Sequence, residues 1–378
     1  RGSRLMANTK IPPELVDDRV FGRRNLFING DMQVAQRATS ATGQTGTGFH
    51  TVDRWEFVAS SAGTWDISQS TTVPAGEGFA YSQKLDCTSA DSSLGAGDYL
   101  IWRQKIEGIN LQHLKYGTSS AEKLTLSFWV RSAKTGTYIV EFYNNNSAGI
   151  KLQSQSYTIS SADTWEKKTI TIDGDTALAF QNTTDGELLM YWWLAAGSNY
   201  SGGGSLNNSW NSSVANNTRA VGVVNLADST SNDWYITGVQ LEVGDTATPF
   251  EHLTFDEQSS LCKRYYQQYS GFHAMPMWTY GRNNGSFQFV LEKEMRSQPS
   301  ASYSGTLGSL NNANYCGIYE TDWVTISSIT LSPTSHESGN TKMIRIDSAH
   351  PANTFASANV AVGFYAGDNF LLIFDAEL

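Results

Sequence analysis

Trp192, Trp193, Tyr200 and Trp210 stand close together in the chain among Asn199, Asn207 and Asn208. That mixture suits sugar binding. A pyranose ring has an apolar C–H face that stacks on Trp or Tyr, while short amide side chains bond its hydroxyls. In a strand, Trp192 and Trp193 face opposite sides, so one of the two belongs to a core. Tyr280 with Asn283 and Asn284, and Tyr319 with Trp323, repeat the combination further along. The bland alternative for every one of these aromatics is packing.

Catalytic chemistry is harder to find. The six histidines show no H-E-x-x-H or H-x-H spacing, and G-x-G-x-x-G before a helix, G-x-x-x-x-G-K-[ST] and G-x-S-x-G are all absent. Asp53, Asp66, Asp86 and Asp98 are available as a glycosidase pair only if folding brings two of them together, and surface or turn carboxylates are the simpler reading. The sequence therefore predicts no enzyme and no cofactor. A formal charge of -10 disfavours nucleic acid and anionic membranes, and no run reaches the ~20 apolar residues of a membrane-spanning helix. The same charge would repel an acidic polysaccharide unless divalent cations bridge the two, which leaves Ca²⁺ as the one ion worth testing. Cys87, Cys262 and Cys316 are widely spaced, so a disulfide framework is not expected and folding in a reducing cytoplasm is.

The elements that would carry these residues are strands. Charged residues make up only 16% of the chain and aromatics 12%, a balance suited to sheets with polar, uncharged outer faces. From Asn25 onward short runs such as LFING, DRWEFVA, WDISQS, YLIWRQKI, LTLSFWVRS, TYIVEFYN, LLMYWWLAA, AVGVVNLA and WYITGVQLEV alternate with Gly/Ser/Asn-rich spacers, as in a β-sandwich. Gly238 interrupts the last run as a bulge would. The low-complexity stretch 197–220 is long enough to be either functional or disordered.

One segment breaks the pattern. Leu253, Leu261, Tyr265 and Tyr269 recur at steps of four and eight, with Thr254 or Asp256 as N-cap ahead of Glu257, which predicts a helix within 253–270. The expected organisation is therefore all-β: a vector remnant and tail over 1–23, a jelly-roll β-sandwich over 24–252, a connecting helix over 253–270, and a C-terminal β-sandwich over 271–378. RGSRL before Met6 reads as the vector remnant. The closing run NFLLIFDAEL is apolar enough to require burial, within its own domain or between subunits.

NLFINGDMQVAQR, TVDRWEF, LTLSFWVRSAKTGTY, DTWEKKTITIDGDT and WYITGVQLEVGDTATPFEHLTFDEQSSLCKRYYQQ, in this order, resemble a family of phage tail-fibre and related virion-appendage proteins. The match covers about residues 24–270, and FVLEKEMRSQPSASY and LLIFDAEL resemble the distal domain that often follows. The resemblance implies a jelly roll similar to carbohydrate-binding modules, a homotrimer in which Leu261, Tyr265 and Tyr269 meet their symmetry mates, an N-terminal tail that docks on other virion proteins, and a place on the virion after folding in the host cytoplasm. Its implied role is recognition of host-surface glycan without cleavage. A glycan depolymerase and a purely structural appendage or decoration protein are the alternatives.

Overall fold

The computed structural model describes residues 23–212, 215–270, 275–279, 284–307, 315–319, 323–324, 330–335, 343–349, 361–366 and 370–378. The protein is all-β apart from short helices, and its first part is a jelly-roll β-sandwich. Strands β1 (Ser40–Gln44), β2 (Glu56–Ser60), β3 (Thr64–Ser70), β4 (Ser82–Ser89), β5 (Tyr99–Glu107) and β6 (Leu124–Ser132) come first. After them run β7 (Gly136–Asn146), β8 (Gly149–Ile159), β9 (Glu166–Ile172), β10 (Gly186–Ala196) and β11 (Asp233–Val243). A six-stranded sheet has the order β1-β3-β4-β11-β6-β9, and a five-stranded sheet the order β2-β5-β10-β7-β8. Every pairing between these strands is antiparallel.

Alternation decides what lies between the sheets. Trp102 on β5 and Trp192 on β10 are register partners facing inward, and Trp55 stacks on Trp102 at 6.1 Å with the planes 7° apart. Phe27 and Phe128 close on Trp192 at 5.8 Å each. All five side chains are buried. Gly238 is the expected bulge: the β11/β6 register shifts between Thr237 and Gln240, φ at Gly238 is 60°, and an added Cβ would sit 2.5 Å from the Phe79 ring.

Two predicted strands are not strands. LFING makes only two backbone bonds to β11, from Leu26 N–H to the Leu241 carbonyl and from Val239 N–H to the Gly30 carbonyl, and turns at Asn29 and Met32 with φ 59° and 60°. The buried Asn29 amide accepts from Val34 N–H and donates to the Val34 and Asp53 carbonyls, a local set of bonds that competes with any sheet. AVGVVNLA is likewise broken, at Gly222 with φ 86°.

Helix α1 (Ser198–Ser201) is one turn long, and α2 spans Phe255–Cys262. The second begins as expected, with Thr254 and Glu257 in a reciprocal capping box, but it ends eight residues before the predicted limit. Tyr266–Tyr269 is instead β12, paired antiparallel with β22 (Leu371–Asp375). The reason lies in the spacing itself: a step of four residues satisfies a helical face and the two-residue period of a strand equally, and the Tyr-rich segment favours the strand once a partner is present.

The remaining strands are β13 (Met275–Thr279), β14 (Asn284–Val290), β15 (Ser300–Ser304), β16 (Thr306–Leu307), β17 (Tyr315–Tyr319), β18 (Trp323–Val324), β19 (Thr330–Ser335), β20 (Met343–Ala349) and β21 (Ala361–Ala366). β22 is the centre of a three-stranded sheet, β12-β22-β15. The others form an eight-stranded sheet ordered β16-β17-β21-β13-β14-β20-β19, with β18 on β17. The apolar closing run is thus buried inside its own chain through Leu372 and Phe374.

The residues expected to meet symmetry mates are also occupied at home. Tyr265 is 1% exposed, packs with Ile28, Val34 and Cys262, and gives its hydroxyl to Glu107 of the jelly roll. Leu261 packs on the same cluster. Tyr269 lies edge-on to Phe289 at 4.6 Å and near Phe374 at 6.1 Å. Sequence spacing would put these residues on one face, but the helix ends at Cys262, so they fall on separate elements, and Tyr265 is covered by Arg54 and Glu107 from more than a hundred residues away.

Asp53 lies beneath this junction, bonded to the side chain and backbone N–H of Gln36. Burial pushes its carboxyl up to about 6, against the bonds from Gln36 and the charge of Arg37. An unfolded Asp titrates near 3.9. The folded state therefore holds this proton more tightly, so its stabilising contribution is full below about pH 4 and is lost as the pH rises through about 6. Asp53→Asn should flatten that dependence: relative to wild type, its stability in denaturant titrations should rise by roughly 2–3 kcal/mol between pH 4 and pH 7.5. A difference between the two proteins that does not change with pH would refute the assignment.

Candidate functional site

The outer face of the five-stranded sheet carries the residues that alternate with the core. From β5 these are Tyr99, Ile101 and Arg103, from β7 Glu141 and Tyr143, from β10 Tyr191 and Trp193, and from β2 Glu56 and Val58. Trp193 opposes Ile101 on one side and Ile139 on the other. The segment 197–220 folds over one end of this face. It is stitched to β8 by paired bonds between Leu152 and Asn211, by Ser154 N–H to the Asn207 carbonyl at 2.6 Å, and by the Asn207 amide to the Leu152 carbonyl at 2.9 Å. Through these bonds the described residues of the loop cover the edge of β8 that would otherwise be open.

Beside this cover lies a depression of about 160 Å³ lined by Val58, Tyr99, Ile101, Arg103, Tyr143, Tyr191, Trp193, Tyr200 and Arg219. Trp193 is its buried floor. Tyr200, half-buried on α1, lies 5.3 Å from Trp193 and stands edge-on to Tyr99 at 5.5 Å. Tyr200 also lines a second, wider hollow of about 380 Å³ formed with Ser198, Asn199, Asn216 and Asn217. Tyr200 is the residue the two hollows share.

Buried charge holds the first depression in shape. Glu141, 0% exposed, accepts from Arg219 Nη2 at 2.7 Å, from Arg219 Nε at 3.0 Å and from the Trp193 indole N–H at 2.7 Å. Burial works against the Arg219 charge and Glu141 more than restores it, so the guanidinium lies above its ordinary pKa. The Arg219 guanidinium carbon sits 5.3 Å from the ring centres of both Tyr143 and Trp193. Arg103 gives Nε to Glu56 at 2.7 Å and Nη1 to the Tyr191 hydroxyl at 3.1 Å. These bonds fix rotamers before any ligand arrives.

Of the sequence candidates, Tyr200 and Asn199 come together in the wider hollow and Trp193 lies under the narrower one. Trp192 does not take part: it is 0% exposed between the sheets. Trp210 is half-buried, gives its indole N–H to the Asp173 carbonyl at 2.8 Å and stands edge-on to Tyr116, outside both hollows. Its ring fastens the loop to the sandwich, which its Asn/Ser-rich neighbours concealed. Asn207 and Asn208 serve the same stitching. Tyr280 and Asn283 lie outside the described residues, and so do the side chains of Asn284, Tyr319 and Trp323, although the backbones of Tyr319 and Trp323 pair across β17 and β18. Tyr99, Arg103, Tyr143, Tyr191 and Arg219 escaped sequence reasoning because four separate segments supply them.

The carboxylates considered for catalysis do not line either hollow. Asp66 and Asp86 are register partners across β3 and β4, where Asp66 accepts the Gly43 N–H and Asp86 pairs with Lys84 at 2.9 Å. Asp53 is buried, and Asp98 accepts the Gly95 N–H in a turn. A third groove, of about 610 Å³ beside α2, does contain Glu251, Asp256 and Glu257. Glu257 is engaged in the capping box, and the Thr254 hydroxyl and N–H hold its carboxyl below the usual range, opposite to what a general acid requires. Among the described residues no group of three or more His, Cys, Asp or Glu side chains could hold a metal ion, and no described helix is long and apolar enough to cross a membrane.

No family model matches the chain, and no curated protein does. Solved structures similar to it include the enzymatically active domain of bacteriophage CBA120 tailspike protein 4, at 14% identity and TM-score 0.30 over 58% of this chain and 21% of that one. A putative sugar binding protein from Bacteroides thetaiotaomicron has the same identity and TM-score over 58% of this chain and all of its own. A family 11 carbohydrate-binding module from Clostridium thermocellum, in complex with a mixed-linked tetrasaccharide, is 11% identical with TM-score 0.28 over 56% of this chain and 99% of its own. Overlap this weak carries no argument about what the present chain binds.

Proposed function

We propose that this protein is a virion-appendage component that recognises host-surface glycan without cleaving it, and that the glycan lies along the two hollows that share Tyr200. The supporting observation is the pair of hollows itself. One is walled by half-buried Tyr99, Tyr143 and Tyr200 over a buried Trp193, and the other is edged by the amides of Asn199, Asn216 and Asn217. Aromatic faces for C–H stacking beside short amides for hydroxyls are the two surfaces a sugar needs. The narrower hollow suits one sugar unit and the wider one the next. Affinity at such a site is modest, and many copies on one particle would raise it by avidity. The appendage assignment rests on the sequence motifs that resemble tail fibres.

Affinity electrophoresis through gels containing purified bacterial surface polysaccharides, run beside a reducing-end assay, tests the proposal. Retardation by at least one polysaccharide is expected, with no new reducing ends. Tyr200→Ala should weaken that binding several-fold, since a stacking contact contributes about 1 kcal/mol. Reducing ends that disappear when Glu251 or Glu257 is replaced would move the reading to a depolymerase acting in the groove beside α2. No retardation by any host polysaccharide would leave the structural appendage as the better reading.

A further inference from the structure

We propose that the sugar anchored in the narrower hollow is acidic, a uronic acid or another carboxylated sugar, with its carboxylate held by Arg103 and Arg219. This rests on the glycan reading above and narrows it. The chain as a whole has 36 acidic against 26 basic residues, yet the lining of this hollow contains two guanidiniums and no carboxylate. The balancing acids lie underneath, Glu141 at 0% side-chain exposure and Glu56 at 9%, whereas Arg219 and Arg103 reach 14% and 17%. Lys105 stands 3.5 Å from Glu56 and also donates to the Leu378 carbonyl outside the hollow, so the charged side chains that line the hollow itself are the two guanidiniums.

The geometry of the forks carries the inference further than the charge does. Each arginine uses Nε toward the acid beneath it, Arg103 to Glu56 and Arg219 to Glu141. Arg103 then spends Nη1 on Tyr191 and Arg219 spends Nη2 on Glu141. Among the described residues Nη2 of Arg103 and Nη1 of Arg219 have no assigned partner. Two pre-oriented donors of fixed charge, with aromatic rings alongside, match a planar carboxylate attached to a stacked sugar ring. A neutral hexose offers hydroxyls to the same nitrogens but no charge to neutralise. The overall repulsion of an acidic polysaccharide is thereby met by a local cationic patch, with no bridging Ca²⁺ required.

Isothermal titration of the full chain against oligomers of glucuronate, galacturonate and mannuronate, each paired with its methyl ester and with the neutral hexose oligomer, tests the proposal. At least one acidic oligomer should bind, about tenfold or more tighter than its ester, and should weaken as salt rises. Arg103→Gln should remove most of that preference, since Glu56 keeps Lys105 as a partner. Should that variant fail to fold, the double change R219Q/E141Q, which replaces the buried ion pair by two amides, should remove it too. Neutral oligomers bound as tightly as acidic ones, with Arg103→Gln indifferent, would overturn the acidic assignment and leave the glycan site standing. If no saccharide binds and Trp fluorescence is unchanged by any of them, both readings fall together.

Discussion

Replacing Glu377 by alanine should lower the stability of the whole protein by about 3–5 kcal/mol, because it strands a buried charge. Arg54 is buried, lies 3.4 Å above the Tyr265 ring, and ion-pairs with Glu377. Its remaining bond is from Nη2 to the Lys105 carbonyl at 2.8 Å, and its Nε already lacks a partner. Without Glu377 the guanidinium stays enclosed by the jelly roll and by Tyr265 with neither water nor an anion. The backbone at Arg54 is left-handed, φ 74°, a strained conformation that persists only while surrounding contacts hold it. Thermal melts should show the loss directly. Asp375→Ala is the comparison: it removes a half-exposed ion pair with Arg37 at 3.1 Å and an acceptor for the Glu377 N–H at 2.9 Å but leaves Arg54 paired with Glu377, so a smaller loss of about 1–2 kcal/mol should follow. The double change R54M/E377L should recover most of the loss, since the cost lies in the unpaired charge rather than in the missing bond. Equal melting temperatures for Glu377→Ala and Asp375→Ala would refute the account. The same clasp bears on domain organisation. If the jelly roll and the region after residue 270 are separable units, as the sequence boundary proposes, limited proteolysis should divide Glu377→Ala faster than wild type.

The fold was legible where alternation had one interpretation. WYITGVQLEV became β11 with its bulge at Gly238 because apolar residues on every second position leave little choice of face. It was illegible where spacing fits two periods or where side chains compete with the ladder. Leu261, Tyr265 and Tyr269 are four apart, which a helix and a strand accept equally; Leu261 stays in α2, while pairing with β22 makes the segment ending at Tyr269 a strand. In LFING the Gln104 side chain takes the Ile28 N–H and carbonyl, and the Asn25 side chain takes the Phe27 N–H, which a strand would have used. Pairing partners a hundred residues away leave no trace in a local pattern.

The site divides in the same way. Tyr200 and Asn199 sit in one turn, so composition alone placed an aromatic beside an amide, and the structure keeps them together. Trp193 and Trp192 were separable by strand parity. Arg103 and Arg219 were invisible because each owes its position to a buried acid from a distant segment, Glu56 and Glu141. One signal was present: YLIWRQKI and LLMYWWLAA carry aromatic residues at both parities, and a strand with bulky rings on both faces needs a second surface to cover them. Here one face is covered by the opposing sheet and the other in part by the segment 197–220, which leaves the hollow beside it. Trp210 misled because a loop rich in Asn and Ser looks solvent-exposed, whereas its indole, bonded to the Asp173 carbonyl and set against Tyr116, helps fasten the loop down.

Glu141 is where stability and recognition should be lost together. Glu141→Ala leaves the Arg219 guanidinium without its carboxylate and frees the Trp193 indole N–H inside the sheet face, so a loss of about 3–5 kcal/mol is expected. Glu141→Gln separates the two roles. The amide oxygen can still accept one bond, and the shape is retained, while the charge that orients Arg219 is gone. Its stability should fall by less, about 1–3 kcal/mol. Its hollow, however, would then contain an arginine free to leave the Tyr143 and Trp193 rings. Near-ultraviolet circular dichroism should report the released indole, and any saccharide affinity measured for the wild type should drop in both variants although Glu141 itself never reaches the surface. A Glu141→Gln protein that keeps full affinity would mean that Arg219 is positioned by the aromatic rings alone and that the buried carboxylate serves only the fold.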